Sequence, residues 1–147
     1  MINKYPEIEK ATTYTNIWDQ LIKYKDKEYK KGPVVCADSD FLKIFSYTIL
    51  EGDPNALASN DKMIITEDLA HLYFGNESAI GKILKINSQV SYTIGAVIAS
   101  QKANTTINFK AIVPLEFMKL WGADFTQWGN NWPNTTILIA NGTDIKV

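Results

Sequence analysis

One stretch of the chain contains the residue types of a phosphate-binding loop. Gly75 and Gly81 are followed by Lys82, and such loops use two glycines, a lysine and a hydroxyl residue to hold phosphates and magnesium. However, five residues rather than four separate the two glycines, and Ile83 stands where serine or threonine is needed. The segment is also predicted to lead from a helix into a strand, which is the reverse of the P-loop order. The sequence therefore does not predict nucleotide binding.

Other residues that often carry chemistry are scarce. His71 is the only histidine and Cys36 the only cysteine, which excludes a two-histidine zinc site, an internal disulfide and a site with several thiolates. No local signature of a Ser-His pair accompanies the histidine. Asp38 and Asp40 are explained by helix capping without a bound cation. We predict no catalytic residue, no cofactor and no metal ion, and we expect a partly exposed His71 and a packed Cys36.

The C-terminal part of the chain is rich in aromatic side chains and amides. Tryptophan is enriched in binding hot spots, and aromatic faces beside amides can bind sugars or a protein partner. The same pattern is typical of a small satellite core beneath a loop. A satellite core, a partner surface and a glycan site therefore all stay open. The candidate partner or ligand surface consists of Trp121, Phe125, Trp128 and Trp132, with Phe117 nearby.

Composition and charge narrow the class of protein. The chain has 147 residues, 46% hydrophobic and 21% charged, which is typical of one folded globular domain. All 15 basic residues are lysine and the net charge is −1, so nucleic acid is not expected as a partner. A segment of lysines and tyrosines, residues 23–31, also contains Asp26 and Glu28, and we interpret it as a solvated hairpin tip. No apolar run reaches the roughly 18 residues of a membrane span, and no signal peptide is evident.

The first half of the chain predicts strands and one short helix. Residues 8–35 predict strands joined in a hairpin whose tip is at Asp26 and Lys27. Asp38 is predicted to cap a short helix that has one apolar face, formed by Phe41, Ile44 and Phe45. Residues 51–54, Glu-Gly-Asp-Pro, are typical of a turn.

The middle of the chain predicts a strand, a helix and a hairpin. Residues 63–65 are predicted to form a buried strand that passes into a helix capped by Thr66 and ended by Gly75. The predicted packing stripe of this helix consists of Leu69, Leu72 and Tyr73. A turn at Asn87 and Ser88 then joins two strands in which apolar residues recur at every second position. The second of these strands is predicted to place on one face Val90, Tyr92, Ile94, Ala96 and Ile98.

The last third predicts a further strand over residues 104–113 and a final strand over residues 135–140. Between them Pro114 is predicted to open a helix, and Gly122 to close it, with apolar positions at Leu115, Met118 and Leu120. Strands and short helices alternate without repeats. We therefore expect an α+β fold, a mixed β-sheet with short packed helices, in one domain over residues 1–147.

Several short motifs follow one another in a fixed order along the chain: Tyr5–Ile8, Asp38–Phe45, Leu50–Pro54, Ile64–Ala70, Phe74–Gly75, Ala79–Lys82 and Tyr92–Ile98. In this order and spacing they resemble the MacB-like periplasmic core domain of FtsX- and MacB-type ABC transporter permeases. The resemblance covers nearly the whole chain. The chain departs from the family pattern at Cys36-Ala37 and at residues 104–106, where the family often has a Ser-His pair, so local loop detail can differ.

In such permeases the domain lies outside the cytoplasmic membrane, between the first transmembrane helix and the next. The resemblance implies that residues 1–147 form a single extracytoplasmic, periplasmic domain excised from between two transmembrane helices, with Met1 and Val147 near the membrane-entering ends. The full-length protein would be an integral protein of the bacterial inner membrane, dimerising through parts outside this segment.

The resemblance also implies a function without catalysis. The domain would relay ATP-driven movement of the transmembrane helices to a substrate, an adaptor or an envelope partner, as a rigid body. ATP hydrolysis would belong to a separate cytoplasmic subunit or domain. The expected partners are therefore the transmembrane helices of its own permease, the cytoplasmic ABC ATPase, and a periplasmic adaptor or envelope protein.

An alternative function stays open beside this one. The chain would then be a free-standing secreted or lipid-anchored module that binds a glycan or peptide through Trp121, Trp128 and Trp132. An enzyme is a third alternative, and it would require a pH-dependent hydrolysis that His71→Ala abolishes. Permeases of this family differ in whether they export small molecules, extract lipoproteins or control wall hydrolases, and no residue here separates those roles.

Overall fold

A computed structural model describes the fold over residues 8–25, 27–45, 47–87, 90–100, 107–121 and 134–139. The strands are β1 Ile8–Tyr24, β2 Lys27–Ala37, β3 Ile49–Gly52, β4 Lys62–Thr66, β5 Ile83–Ile86, β6 Val90–Ile98, β7 Ala111–Pro114 and β8 Asn134–Ile139. The α-helices are α1 Phe41–Ile44 and α2 Glu67–Phe74, and short 3-10 helices span Ala56–Ala58 and Leu115–Trp121. No helix in these ranges has the length and apolar character needed to cross a membrane.

Within the described residues, eight strands form one mixed sheet. Their order is β2-β7-β4-β6-β5-β1-β8, and β3 pairs with β6 beside this path. The β2–β7 and β4–β6 pairs are parallel and the others antiparallel. Because β1 also pairs with β2, the strands from β2 to β1 close into a ring. The α+β fold with a mixed sheet and short helices is confirmed.

β1 connects distant parts of the sheet. Its first half pairs with β8 from Ile8 opposite Ile139 to Tyr14 opposite Asn134. Its later part pairs with β2 up to Tyr24, which confirms the predicted N-terminal hairpin. It also contacts β5 near its end. Register shifts along β1 interrupt the regular ladder, and such irregularities bend a strand so that it can follow neighbours on several sides.

The two faces of the sheet bury two separate hydrophobic clusters. One cluster lies under α2 and the 3-10 helix Leu115–Trp121 and includes Met63, Leu84, Ile94 and Phe117. The other includes Phe41, Ile64, Ile98, Phe109 and Ile112. β4 and β7 contribute to both clusters, and every residue of β7 is buried. This explains why their sequences are continuous apolar runs rather than alternating ones.

The hairpin of β5 and β6 is confirmed, but the prediction that one face of β6 holds all five apolar residues is wrong. Tyr92 and Ile94 belong to the first cluster, whereas Ala96 and Ile98 belong to the second. In the parallel pairing with β4, Met63 lies opposite Ile94 and the next residue of β4 lies opposite Ala96. Gly95 is therefore an extra residue in β6, and this bulge exchanges the faces.

The strand β4 and the helix α2 are confirmed, with Thr66 before the helix and Gly75 at its end. The predicted packing stripe is wrong at Leu72, whose side chain is 53% exposed. Leu69 and Tyr73 are buried as predicted, and Phe74 is buried beside them. Thr66 precedes the helix without a side-chain capping bond, because its hydroxyl donates to the carbonyl oxygen of Lys110.

The last third of the chain differs most from prediction. β7 begins only at Ala111, and Pro114 is its last residue rather than the first of a helix. The following segment is a 3-10 helix, in which Leu115 is half-buried and Met118 buried. The final strand is confirmed as β8. The side chain of Leu120, residue Gly122 and residues 104–106 lie outside the described residues.

Candidate functional site

His71 lies on the exposed side of α2, and both of its ring nitrogens lie near groups of that helix or its end. Its Nδ1 lies 3.0 Å from the carbonyl oxygen of Gly75, and its Nε2 lies 3.8 Å from a carboxylate oxygen of Glu67. The side chain is 60% exposed. The interpretation as a partly exposed helix residue is confirmed.

Cys36 is fully buried in the first cluster, as predicted from its small apolar neighbours. Burial penalises the charged thiolate and raises the pKa of the thiol to about 12. Because the thiolate is the reactive form, this cysteine is both inaccessible and protonated at neutral pH.

Asp38 holds the loop before α1 against β1 rather than capping the helix. Its carboxylate accepts hydrogen bonds from the Thr12 hydroxyl at 2.6 Å, the Thr13 backbone N–H at 2.7 Å and the Asp40 backbone N–H at 3.1 Å. The residue in the N-cap position is Asp40, whose side chain makes no capping bond. The predicted cap is therefore wrong: the side chain of Asp38 bonds Thr12, Thr13 and the N–H of Asp40, which precedes the helix. Elsewhere in the described ranges, no group of three or more His, Cys, Asp or Glu side chains is placed to hold a metal ion.

The candidate partner surface of Trp121, Phe125, Trp128 and Trp132 falls mostly outside the described residues. Of this set the structure describes only the backbone of Trp121, at the end of the 3-10 helix. Phe117, which precedes it, is buried against Tyr92 with ring centroids 6.4 Å apart. Phe117 is thus part of the core, and the role of the other four stays a prediction.

The loop from Gly75 to Ile83 leads from α2 into β5, as predicted, in the reverse of the P-loop order. It is fastened to β6, because the N–H of Gly81 donates to the carbonyl oxygen of Ile94 at 3.0 Å and the N–H of Ile94 donates to that of Lys82 at 2.8 Å. The loop therefore has a fixed course, and its residues line two grooves.

The first groove is basic, and we call it the lysine groove. It has a volume of about 660 Å³ and lies between the end of β1 and the start of β5. Ile22 and Lys23 of β1 lie opposite Ile86 and Lys85 of β5, which brings together two segments far apart in sequence. The side chains that form the groove are Lys23, Tyr24, Lys25, Lys82, Ile83 and Lys85.

The second groove, which we call the acidic groove, is lined by the first part of the same loop, residues 75–79. Its volume is about 370 Å³, and its lining includes Glu51, Glu67, His71 and Glu77. The Ser78 hydroxyl donates a hydrogen bond to the Glu51 carboxylate, which joins the loop to β3. The sequence drew attention to residues 23–31 and to the loop from Gly75 to Ile83 separately, but their meeting in a groove was not predicted, because it depends on the pairing of β1 with β5.

The model of one protein family, the MacB-like periplasmic core domain, matches residues 1–146. No curated protein matches the chain. Among solved structures, a domain described as part of a permease protein from Porphyromonas gingivalis is 25% identical, with a TM-score of 0.82. The alignment covers 97% of this chain and 61% of that one.

Two further solved structures share the fold. The periplasmic region of MacB from Actinobacillus actinomycetemcomitans is 13% identical with a TM-score of 0.72, covering 97% of this chain and 63% of that one. The extracellular domain of the ABC-type transporter YknZ from Gram-positive bacteria is 16% identical with a TM-score of 0.67, covering 92% and 67%. The chain thus spans about three fifths of the length of the first two structures.

Proposed function

Because this chain belongs to the family of MacB-like periplasmic core domains, we propose that it is the extracytoplasmic part of an ABC transporter permease. In that protein it relays ATP-driven movement of transmembrane helices to a substrate, an adaptor or an envelope partner. The observation that carries this proposal is the family match over residues 1–146.

The pairing of β1 with β8 supports a mechanical role. Ile8 and Ile139 are opposite each other, so chain segments that continue from these two residues begin side by side. Helices that joined the sheet there would act on one strand pair. β1 then continues into pairings with β2 and β5. A movement of the first residues of β1 is therefore transmitted to the ring of strands. Packed sheets of this kind move as rigid bodies rather than deform continuously.

The proposed place in the permease can be tested through one introduced cysteine. Ser91 is exposed on β6, whereas the native Cys36 is buried and protonated. We expect Ser91→Cys in the full-length protein to react with a membrane-impermeant maleimide in intact cells. The unsubstituted full-length protein, which retains Cys36, is the matched control, and its labelling is the background above which Ser91→Cys should react. Reaction of Ser91→Cys only after lysis would contradict an extracytoplasmic position.

The proposed position between two transmembrane helices can be tested on the full-length sequence. We expect apolar runs of about 20 residues on both sides of this domain. A cleavable signal before it and a stop soon after it would instead favour the free-standing binding module. ATP hydrolysis is proposed to reside in a separate cytoplasmic subunit or domain.

The aromatic surface of Trp121, Phe125, Trp128 and Trp132 is retained as a second proposed contact for a partner or ligand. It rests on the number of tryptophans beside amides in this part of the sequence. Quenching of tryptophan fluorescence by added sugars or peptides, lost in Trp128→Ala/Trp132→Ala, would support it. Unchanged fluorescence of the folded, unsubstituted protein on addition of these ligands would favour a satellite core.

A further inference from the structure

We propose that the lysine groove binds an acidic peptide segment of a partner protein in the cell envelope. The groove concentrates four lysines from two segments that are distant in sequence. Two of them, Lys23 on β1 and Lys85 on β5, are direct cross-strand partners. Like charges directly opposite each other repel across a strand pair, and an anion bound from outside would lessen that repulsion.

The lysines of the groove differ in the residues that lie beside them. On its other side Lys23 lies opposite Glu28 of β2, whereas Lys85 lies opposite the neutral Ser91 of β6. Lys82 has Glu77 at 3.9 Å, and that glutamate is 79% exposed. An exposed pair of this kind contributes little and exchanges readily for another carboxylate. The groove is therefore complementary to a ligand that carries several negative charges.

The apolar and cationic side chains of the groove favour a peptide over a phosphate-bearing ligand. Ile83 is 55% exposed, and the ring of Tyr24 lies 5.3 Å from the Nζ of Lys25. These groups offer contacts for an apolar side chain between acidic ones. Every cation is a lysine, and none supplies the planar fork of arginine that suits bidentate phosphate recognition.

The position of the groove favours a partner distant from the membrane, and this step rests on the proposed function. β1 runs for 17 residues from Ile8, beside Ile139, to Tyr24 at the groove. A strand of that length spans about 50 Å or somewhat less where it bends. If the chain enters the membrane from the Ile8 and Ile139 end, the groove lies beyond the Debye length of the headgroups of that membrane.

Binding of a labelled acidic peptide tests the proposal directly. The probe is a fluorescein-labelled decapeptide of glutamate, aspartate and leucine, and its matched control carries glutamine and asparagine instead. We expect the acidic peptide to bind the 147-residue chain at least about tenfold more tightly than the neutral one. Its affinity should fall as the salt concentration rises. Fluorescence anisotropy measures the affinity of each peptide and its dependence on salt.

Two matched variants locate the site. Lys25→Gln/Lys85→Gln should lower the affinity for the acidic peptide about three- to tenfold, because two exposed charge contacts are lost. Lys43→Gln/Lys119→Gln removes the same charge elsewhere, at exposed lysines paired with Asp40 and Glu116, and should leave the affinity unchanged. Circular dichroism verifies that both variants fold.

Three results would overturn the proposal: no preference for the acidic peptide, equal loss in both variants, or binding of anionic phospholipid vesicles through these lysines without binding of the peptide. The last would assign the groove to a lipid surface. The test is independent of the labelling of Ser91→Cys. A labelled protein that does not bind the peptide would refute only the groove, and peptide binding by a protein labelled only after lysis would refute only the location.

Discussion

Gly52 is required at the end of β3 by both its backbone conformation and its surroundings. Its φ of +93° favours glycine, and a Cβ there would lie 2.7 Å from the Cα of Ala96 and against the backbone carbonyl oxygen of Gly95. Because backbone atoms cannot move aside cheaply, we expect Gly52→Ala to destabilise the domain by about 3 kcal/mol or more. Denaturant unfolding followed by circular dichroism measures the change.

Gly81→Ala is the matched control for that substitution. Its φ of +83° is similar, but no atom lies within 4 Å of the added methyl group. The cost should therefore be only that of the left-handed conformation, about 1–2 kcal/mol. Equal losses for the two substitutions would show that steric contact at Gly52 contributes nothing.

Asn87 joins the β5–β6 turn to the irregular part of β1. Its Oδ1 accepts a hydrogen bond from the N–H of Leu21 at 2.9 Å, and its amide donates to the side chain of Gln20, which is buried. Asn87→Gly keeps the positive φ of 52° but removes both bonds. We expect a loss of about 1–3 kcal/mol in the free energy of unfolding, because the N–H of Leu21 is left without its acceptor.

The control for Asn87→Gly is Asn76→Gly, at an exposed position in the loop after α2. It should change stability by no more than about 0.5–1 kcal/mol, the ordinary cost of glycine. If chemical denaturation gives the same value for both, the side chain of Asn87 does not stabilise the contact with β1.

At the scale of residues, prediction from sequence succeeds where neighbours along the chain decide. The burial of Cys36 and the exposure of His71 follow from the elements that contain them. Asp38 could not be predicted, because its partners Thr12 and Thr13 lie about 25 residues earlier and reach it only through the hairpin. The lysine groove was not predicted for the same reason, because Lys23 and Lys85 are distant in sequence and meet only in the assembled sheet.

At the scale of elements, Asp68 ties α2 to Ser100, which follows β6, and to Lys110, which precedes β7. Burial raises the pKa of its carboxyl, but hydrogen bonds from Lys110 and Ser100 and the charge of Lys110 outweigh this, so the pKa lies below its ordinary value. A lowered folded-state pKa stabilises the protein above the unfolded-state pKa of about 4 and ceases to do so as pH falls through the folded value.

Asp68→Asn should therefore destabilise the domain at neutral pH, and the difference from the unsubstituted protein should shrink below about pH 4. Unfolding in urea at a series of pH values measures this. Glu116→Gln, which removes an exposed i,i+3 pair with Lys119, should cost no more than about 0.5 kcal/mol throughout. A difference for Asp68→Asn that does not change with pH would contradict the role given to its ionised form.

Elements with strong local patterns were predicted correctly. β4, α2 and the β5–β6 hairpin each have a continuous or regularly spaced set of apolar residues long enough to identify the element. A turn or a terminal glycine also marks where the hairpin or the helix ends. The exchange of faces at Gly95 was not predictable, because the bulge is defined by pairing with β4, about 30 residues earlier. Leu72 was misplaced because an eight-residue helix on a sheet buries a narrower stripe than its apolar residues suggest.

At the scale of the whole molecule, the isolated chain should be a folded monomer without ATPase activity. The proposed function assigns hydrolysis to a separate cytoplasmic subunit or domain and dimerisation to parts of the permease outside this segment. Light scattering should give one chain per particle, and a coupled phosphate-release assay should give no ATP turnover. Measurable turnover by the purified chain would contradict the proposed division of labour.

The family could be predicted from the order and spacing of weak motifs, because these mark turns and buried segments that the fold requires in sequence. The family match over residues 1–146 confirms it. The partner could not be predicted in this way. The lysine groove depends on the pairing of Lys23 with Lys85, which is a property of the assembled sheet.

The central claim is that this domain moves as one body when the ATPase of its permease turns over. It is tested most directly by pulsed EPR distances in the full-length complex, with and without trapped ATP. A spin label at Ser91→Cys in each of two permease copies reports movement between domains, and a pair at Ser91→Cys and Lys43→Cys reports movement within one. Both positions are exposed, and the buried Cys36 should not take up label. We predict that ATP changes the distance between copies and leaves the distance within the domain unchanged. An unchanged distance between copies, or a changed distance within the domain, would contradict the account.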